Sequence, residues 1–217
     1  MRARLIARLL RLFAALPWRW NRALGTGLGW MLAHTPNPVW RHSAINLRLC
    51  LPELSPDDHR RLLRTSLIET GKTVLEAGPL WFWPAERIRG LMGEAVNVEP
   101  VDAAIRSGRG VILATPHLGS WEMAGHFCAV RWGITNLYRP PRLRALDTLL
   151  CHSRERLGAR MAPTNAKGVR SLYETLARGG VVGMLPDQDP GQSGGVFAPL
   201  FGIPANSMVL LDRLARK

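Results

Sequence analysis

Hydrophobic and polar positions follow two different periodic patterns along the 217-residue chain. Up to about residue 93 the apolar residues recur at intervals of three and four, which is typical of helices. From about residue 94, short apolar runs alternate with helical segments, which indicates strands that are covered on both faces. The sequence therefore predicts an α/β fold with a mixed central sheet flanked by helices, preceded by a helical N-terminal region.

The first predicted helix, residues 4–16, is strongly amphipathic. Its apolar side chains fall within an arc of about 160°, and Arg4, Arg8 and Arg11 cluster on the opposite side. The arginines interrupt the apolar run too often for a signal peptide, and the run is too short for a transmembrane span. Such a helix suits the plane of a membrane interface, and the tryptophans that follow favour the headgroup level. A helix packed on its own domain is the alternative.

Helix and strand signals along the rest of the chain predict the order of the other elements. A third helix is expected to begin at Ser55-Pro56, with serine as N-cap and proline at the first position, and to end at Gly78-Pro79. Further helices are expected near 39–50, 100–107, 119–131, 142–157 and 167–178 and from about 206, and strands near 95–98, 111–115, 134–138, 181–185 and 196–200. We therefore expect membrane-associating helices in 1–35, a helical region in 36–93 and an α/β core in 94–217. The helical pattern is still open at Lys217, so we expect the core to be truncated there.

Charge and cysteine content narrow the functional classes. The net charge is +13, and eight arginines precede the first carboxylate, Glu53. This uneven distribution points to an anionic partner, either a membrane surface or a nucleic acid. The nucleic-acid hypothesis lacks a helix-turn-helix, zinc or RNP-type motif, so we predict no nucleic-acid partner. The three scattered cysteines, Cys50, Cys128 and Cys151, fit neither a disulfide framework nor a zinc site of the Cys-x-x-Cys type.

A histidine at the end of the strand predicted at 111–115 is the best candidate for chemistry. The carboxyl ends of strands in α/β sheets are where ligands bind, which places His117 at such a site. Glu122, in the first turn of the next helix, can reach back toward the imidazole and fix its tautomer. No serine or cysteine is poised as a nucleophile, so the pattern predicts a general base that acts on a bound hydroxyl. A histidine that only caps the helix is the alternative, and the missing HExxH register predicts no metal.

Residues 110–122, GVILATPHLGSWE, resemble the His-x4-Asp/Glu block of the lipid A late acyltransferases of Gram-negative bacteria, a subgroup with Glu at the acidic position. Three further stretches resemble the family's other blocks in the expected order: residues 46–55, residues 138–140 followed by Arg154, and residues 186–205. The resemblance implies a glycerolipid acyltransferase-like fold and no cofactor. It also implies transfer of an acyl chain from acyl carrier protein, or acyl-CoA, to a glycolipid hydroxyl at the cytoplasmic face of the inner membrane.

The resemblance also implies roles for individual residues. It assigns catalysis to His117 and Glu122, and substrate binding to Arg139, Arg154, Asp187 and Gln188. Arginine at such positions suits the phosphates of the acceptor or the donor. Phe197, Leu200 and Phe201 are expected either to line an acyl tunnel or to pack in the core. A lysophospholipid acyltransferase and a hydrolase with the same His/Glu pair are the enzymatic alternatives.

Overall fold

The computed structural model of the chain describes residues 2–191 and 194–216. The N-terminal part consists of helices α1 (Arg2–Ala15), α2 (Trp18–His34), α3 (Pro38–Cys50), α4 (Pro56–Phe82), α5 (Ala85–Arg89) and α6 (Glu99–Arg106). The rest contains β1 (Val111–Ala114), α7 (Trp121–Trp132), β2 (Thr135–Tyr138), α8 (Asp147–Glu155), β3 (Arg160–Pro163), α9 (Ala166–Ala177), β4 (Val181–Met184), β5 (Gly195–Leu200), β6 (Ile203–Met208) and α10 (Leu210–Ala215). A 3₁₀ turn, Arg144–Leu146, precedes α8.

Four strands form a parallel sheet in the order β1-β4-β2-β3, and β5 pairs with β6 in a separate antiparallel hairpin. The predicted α/β fold is therefore confirmed, but the expectation of a mixed sheet is wrong. The antiparallel pair stands outside the central sheet, and each strand within that sheet is reached by a helical crossover, which makes its neighbours parallel.

The core surrounds β4, whose four residues are all buried. On one side Val182 and Met184 pack with Leu172 and Leu214, and on the other side Val181 belongs to a cluster that includes Leu80 at the end of α4. A strand buried on both faces reads as a continuous apolar run, which is why this strand is visible in the sequence. The carboxyl end of β4 therefore lies at the centre of the sheet edge.

Helix α4 begins where the sequence predicts but extends past Gly78-Pro79. The Ser55 hydroxyl accepts a hydrogen bond from the Asp58 amide at 3.1 Å, which is the expected N-cap. Beyond Pro79 the helix continues to Phe82, because Leu80 is fully buried in the core and Gly78 lies against the backbone of α1. The α4 carbonyls of the last turn gain a partner as well, since Arg156 Nη2 donates to the Leu80 carbonyl at 2.7 Å.

Glycines allow α2 and α4 to cross in backbone contact. A Cβ atom on Gly71 would lie 2.3 Å from the Gly25 carbonyl oxygen, and one on Gly29 would lie 2.3 Å from the Ile68 Cα. Real Cβ atoms do not approach backbone this closely, so only glycine permits this separation. The crossing fixes the register of α2 on α4.

The helix predicted at residues 4–16 is present as α1, and it packs on α4 through Phe13 and Ala14 near Gly78. Part of its apolar stripe remains uncovered: Leu5, Leu9 and Leu12 are 59%, 44% and 61% exposed. Among the described residues, no helix combines the length and the apolar character that crossing a membrane requires.

Several predicted elements differ from the structure. Residues 95–98 form no strand, and Asn97 adopts a left-handed conformation with φ 59° that interrupts an extended run. The sequence pattern predicts no strand at β3 or β6. In the structure β3 has a single buried residue, and β6 contains Pro204 in a largely half-exposed hairpin, so neither has the apolar run of a buried strand. The last helix begins at Leu210 and not near residue 206.

Candidate active site

Two loops meet at the carboxyl edge of the sheet because β1 and β4 are neighbours. Ala114, the last residue of β1, pairs with Met184, the last residue of β4. His117 lies three residues after the end of β1, and Asp187 lies three residues after the end of β4. The parallel register of the two strands therefore brings the two residues close together. This juxtaposition depends on the strand order, which the sequence does not reveal.

Both oxygens of Asp187 bind His117. The Asp187 Oδ1 lies 2.8 Å from Nδ1 of the ring, and Oδ2 accepts the backbone N–H of His117, also at 2.8 Å. Partial burial by itself would raise the pKa of the Asp187 carboxyl, but the hydrogen bonds from the ring and the amide of His117 hold it below its ordinary value. A charged carboxylate at Nδ1 favours the tautomer with the proton on Nδ1, which leaves the lone pair on Nε2.

The other ring nitrogen of His117, Nε2, is available to a ligand. This atom has no hydrogen-bond partner among the residues that the structure describes, and the His117 side chain is 29% exposed. A neutral imidazole in this state can take a proton from a group that approaches from solvent. The arrangement has the elements of a general base: an oriented ring, an accessible lone pair and a carboxylate behind it.

Glu122 makes no hydrogen bond or ion pair with His117, contrary to the direct pairing that the sequence suggests. Its two oxygens accept hydrogen bonds from Nε and Nη2 of Arg154, each at 2.8 Å, and Oε1 also accepts from the Trp81 indole at 3.1 Å. The two charged side chains are only 16% and 9% exposed. Glu122 points inward from the first turn of α7, and its charge is balanced there by a bidentate arginine.

Trp121 lies between this ion pair and the histidine. Its ring meets the His117 ring edge-on at a centroid distance of 5.3 Å, and the Arg154 guanidinium carbon lies 5.4 Å from the Trp121 centroid. An edge-to-face aromatic contact restricts the ring orientation, and the arginine over the indole adds a cation–π interaction. Glu122 therefore reaches His117 indirectly, through Arg154 and Trp121. No local sequence signal distinguishes Trp121 from an ordinary core aromatic.

The other predicted site residues take different positions. Arg154, expected to meet substrate, is the partner of Glu122, and Asp187, also expected to bind substrate, holds His117. Arg139 follows β2 at the same edge of the sheet and is exposed, as is Gln188 beside Asp187. Their roles in substrate binding remain predictions.

The three apolar residues considered for a tunnel or the core are not part of the core. Phe197, Leu200 and Phe201 are 77%, 50% and 67% exposed on the β5–β6 hairpin. Phe201 and Gly202 form the turn, with φ angles of 51° and 77°. Two consecutive positive φ angles match the two-residue turn that suits the twist of a hairpin. Leu200 and Phe201 are therefore displayed at its tip, whereas Phe197 lies further along β5, opposite Asn206.

Within residues 2–191 and 194–216, no three His, Cys, Asp or Glu side chains are grouped closely enough to hold a metal ion. The described side chains offer proton acceptance at His117 Nε2, and the charged groups Asp187, Glu122 and Arg154 are arranged behind the ring.

Known proteins are similar in sequence to this chain over more than half of its length. The family model for bacterial lipid A biosynthesis acyltransferases matches residues 3–217. The chain is 27% identical to the lipid A biosynthesis palmitoleoyltransferase of Escherichia coli K12, over 92% of this chain and 72% of that protein. It is 28% identical to the lauroyltransferase of the same strain, over 86% of this chain and 66% of that protein. A phosphatidylinositol mannoside acyltransferase of Mycolicibacterium smegmatis is 34% identical over 56% of this chain and 39% of its own length.

Proposed function

Since the chain belongs to the bacterial lipid A biosynthesis acyltransferase family, we propose that it moves a fatty acyl chain from acyl carrier protein, or from acyl-CoA, to a hydroxyl of a lipid A precursor or a related glycolipid. The family confirms the predicted class of enzyme, an O-acyltransferase. Some relatives are named for lipid A biosynthesis and one is named as a phosphatidylinositol mannoside acyltransferase. Both names refer to glycolipids, which supports this class of acceptor here.

The proposed reaction begins with proton removal by His117. Nε2 takes the proton of the acceptor hydroxyl while the hydroxyl oxygen attacks the thioester carbonyl carbon of the donor. The tetrahedral intermediate then collapses, the carbon–sulfur bond breaks, and the leaving thiolate takes the proton back from the imidazolium. The products are an ester and a free thiol, and the protein is returned to its starting protonation state.

The observation that carries this proposal is the hydrogen-bonded pair of His117 and Asp187 at the carboxyl edge of the sheet. Asp187 would stabilise the imidazolium that forms when Nε2 accepts the proton, because the carboxylate faces Nδ1 at 2.8 Å. We therefore assign the direct orienting role to Asp187. Glu122 remains part of the machinery, acting through Arg154 and Trp121.

We further propose that exposed Arg139 meets a phosphate of the acceptor or of the donor. It lies just beyond β2 at the sheet edge that carries His117, and it makes no side-chain hydrogen bond or ion pair with the described residues. A guanidinium in that state keeps all its donors for a ligand, and arginine binds phosphate with two parallel hydrogen bonds.

The large apolar residues that α1 and α2 leave exposed support binding to a membrane surface, which we propose to be the cytoplasmic face of the inner membrane. Leu5, Leu9 and Leu12 project from α1, and its arginines can meet anionic headgroups. The exposed apolar side chains of α2 are Trp20, Leu24, Trp30 and Met31. Replacing the three α1 leucines by serine should reduce cosedimentation with anionic vesicles, whereas unchanged binding would contradict this orientation.

Product analysis tests the proposed reaction. Labelled acyl carrier protein and labelled acyl-CoA are offered in parallel to a lipid A precursor, phosphatidylinositol mannoside and a lysophospholipid. Formation of an acylated glycolipid by the wild type, and its loss in His117→Ala, is the expected result. Release of free fatty acid without acylated lipid would instead indicate a hydrolase, and exclusive use of the lysophospholipid would contradict the glycolipid assignment.

A further inference from the structure

The loop that carries His117 connects β1 to α7 in six residues, 115–120. One anchor is the Asp187 carboxylate at His117. The second lies at the other end of the loop, where the Ser120 hydroxyl donates to Oε2 of Glu76 at 2.9 Å. Gly119 between these anchors has φ 60°, and Leu118 is 78% exposed. The position of His117 therefore depends on two carboxylates that belong to other elements of the fold.

Glu76 is a buried charge in the C-terminal part of α4, and its side chain is only 3% exposed. A buried carboxylate is costly unless it is paired and hydrogen-bonded. Its Oε1 accepts a hydrogen bond from Nη1 of Arg22 in α2, and its Oε2 accepts one from the Ser120 hydroxyl. Ser120 precedes α7 and would normally cap that helix, but its side chain makes no cap hydrogen bond. The hydroxyl is committed to Glu76 instead.

The glycine crossing sets the position of Arg22. Gly25 lies against Lys72 and Gly29 against Ile68, so α2 and α4 run antiparallel in backbone contact. Continuing this register by one turn brings Arg22 opposite Glu76. The charge that balances Glu76 is thus held by the packing of the N-terminal helices.

We infer that Glu76 is a positioning residue for the transfer reaction: with its counter-ion Arg22 it fixes Ser120 and thereby the height of His117 at the sheet edge. This inference rests on the proposed function, and it adds a residue of α4 that touches neither substrate nor the reacting atoms. A displacement of a catalytic group by about 1 Å can lower a rate by roughly 10²-fold. We therefore expect the loss to fall on kcat and to leave KM nearly unchanged.

The test compares variants that differ by single groups. Ser120→Ala removes the hydroxyl, Ser120→Thr retains it, and Glu76→Gln removes the charge. Glu69→Gln is the matched control, because Glu69 lies on the same helix, pairs with Lys72 at 2.6 Å and is 52% exposed. We expect kcat to fall about tenfold in Ser120→Ala and Glu76→Gln, with recovery in Ser120→Thr and no change in the control. The double variant Ser120→Ala/Glu76→Gln should lose no more than the worse single variant, since both act through one contact.

Hydrogen–deuterium exchange supplies a readout that is independent of activity. The peptide that covers residues 116–121 should exchange faster in Ser120→Ala and Glu76→Gln and as slowly as wild type in Ser120→Thr and Glu69→Gln. The inference is overturned if exchange and kcat are unchanged in Ser120→Ala, or if Ser120→Thr is as impaired as Ser120→Ala. An inactive wild type with the expected exchange pattern would refute the proposed function and leave the positioning contact standing.

Discussion

Replacing Asp187 by asparagine tests the role of the His117 pair most directly. Two donors converge on the carboxylate, the backbone N–H and the ring Nδ1–H of His117, each at 2.8 Å. Asparagine offers one oxygen and one NH₂ in nearly the same shape, so it can accept only one of these two donors. The backbone N–H cannot change its character and takes the oxygen. The NH₂ then faces Nδ1, which forces the ring proton to Nε2.

The expected loss in kcat follows from this change of tautomer. A ring protonated at Nε2 cannot accept the proton of the hydroxyl, so the contribution of the general base is lost, which is typically about 10²–10⁴-fold. Alanine leaves the ring free to adopt either tautomer. We therefore expect the order wild type, Asp187→Ala and Asp187→Asn in decreasing kcat, with Asp187→Asn at least 10²-fold below wild type.

The assay is steady-state acyl transfer with saturating donor and acceptor, which measures kcat, beside circular dichroism to show that each variant is folded. Asp57→Asn is the matched control, because Asp57 pairs with Arg60 on an exposed turn of α4 and should have no effect. Activity of Asp187→Asn within about twofold of wild type would refute the pairing as a catalytic feature. Activity of Asp187→Asn clearly above that of Asp187→Ala would refute the tautomer argument alone.

Three further predictions concern stability. Glu122→Gln should lower the free energy of unfolding in urea by about 3–5 kcal/mol, because it leaves the guanidinium of Arg154 buried without its charge partner; a loss below about 1 kcal/mol would contradict this. Burial lowers the pKa of His126 below its ordinary 6.5, so the folded chain resists protonation, and stability should fall as the pH drops below 6.5, by at most about 1.4 kcal/mol per pH unit. The free energy of unfolding of His126→Gln, measured against pH, should lack this slope. An unchanged slope would mean that a group other than His126 causes it. Gly71→Ala should destabilise by about 1–3 kcal/mol or more, measured by thermal unfolding, since its Cβ would meet the Gly25 carbonyl oxygen at 2.3 Å; full stability would mean that the helices can separate at no cost.

The sequence was sufficient to locate His117 because the pattern around it is local. A buried-type strand, a break and a helix start all lie within a dozen residues, and each is set by apolar periodicity or capping chemistry. The partner of the histidine was not accessible in the same way. Asp187 lies 70 residues away, and it reaches His117 only because β4 inserts between β1 and β2. Strand order is a property of tertiary packing that no local pattern encodes.

The sequence spacing between His117 and Glu122 did not predict where the Glu122 side chain points. Its place in the first turn of α7 was predicted, but the direction of its side chain depends on what fills the space beneath the helix. Arg154 of α8 and Trp81 of α4 supply three hydrogen bonds there, more than the histidine could offer. The end of α4 also depends on tertiary packing. A proline such as Pro79 normally ends a helix, but burial of the next residue, Leu80, keeps the last turn of α4 in place.

The last turn of α4 has a consequence for how the molecule unfolds. Its Leu80 carbonyl is bonded by the Arg156 guanidinium and by the ring of His126, so side chains of the sheet region complete the hydrogen bonding of the N-terminal helix. Melting either part alone breaks these hydrogen bonds, which disfavours any half-folded species. Thermal denaturation should accordingly show one cooperative transition, seen alike by probes in the helical arm and in the sheet.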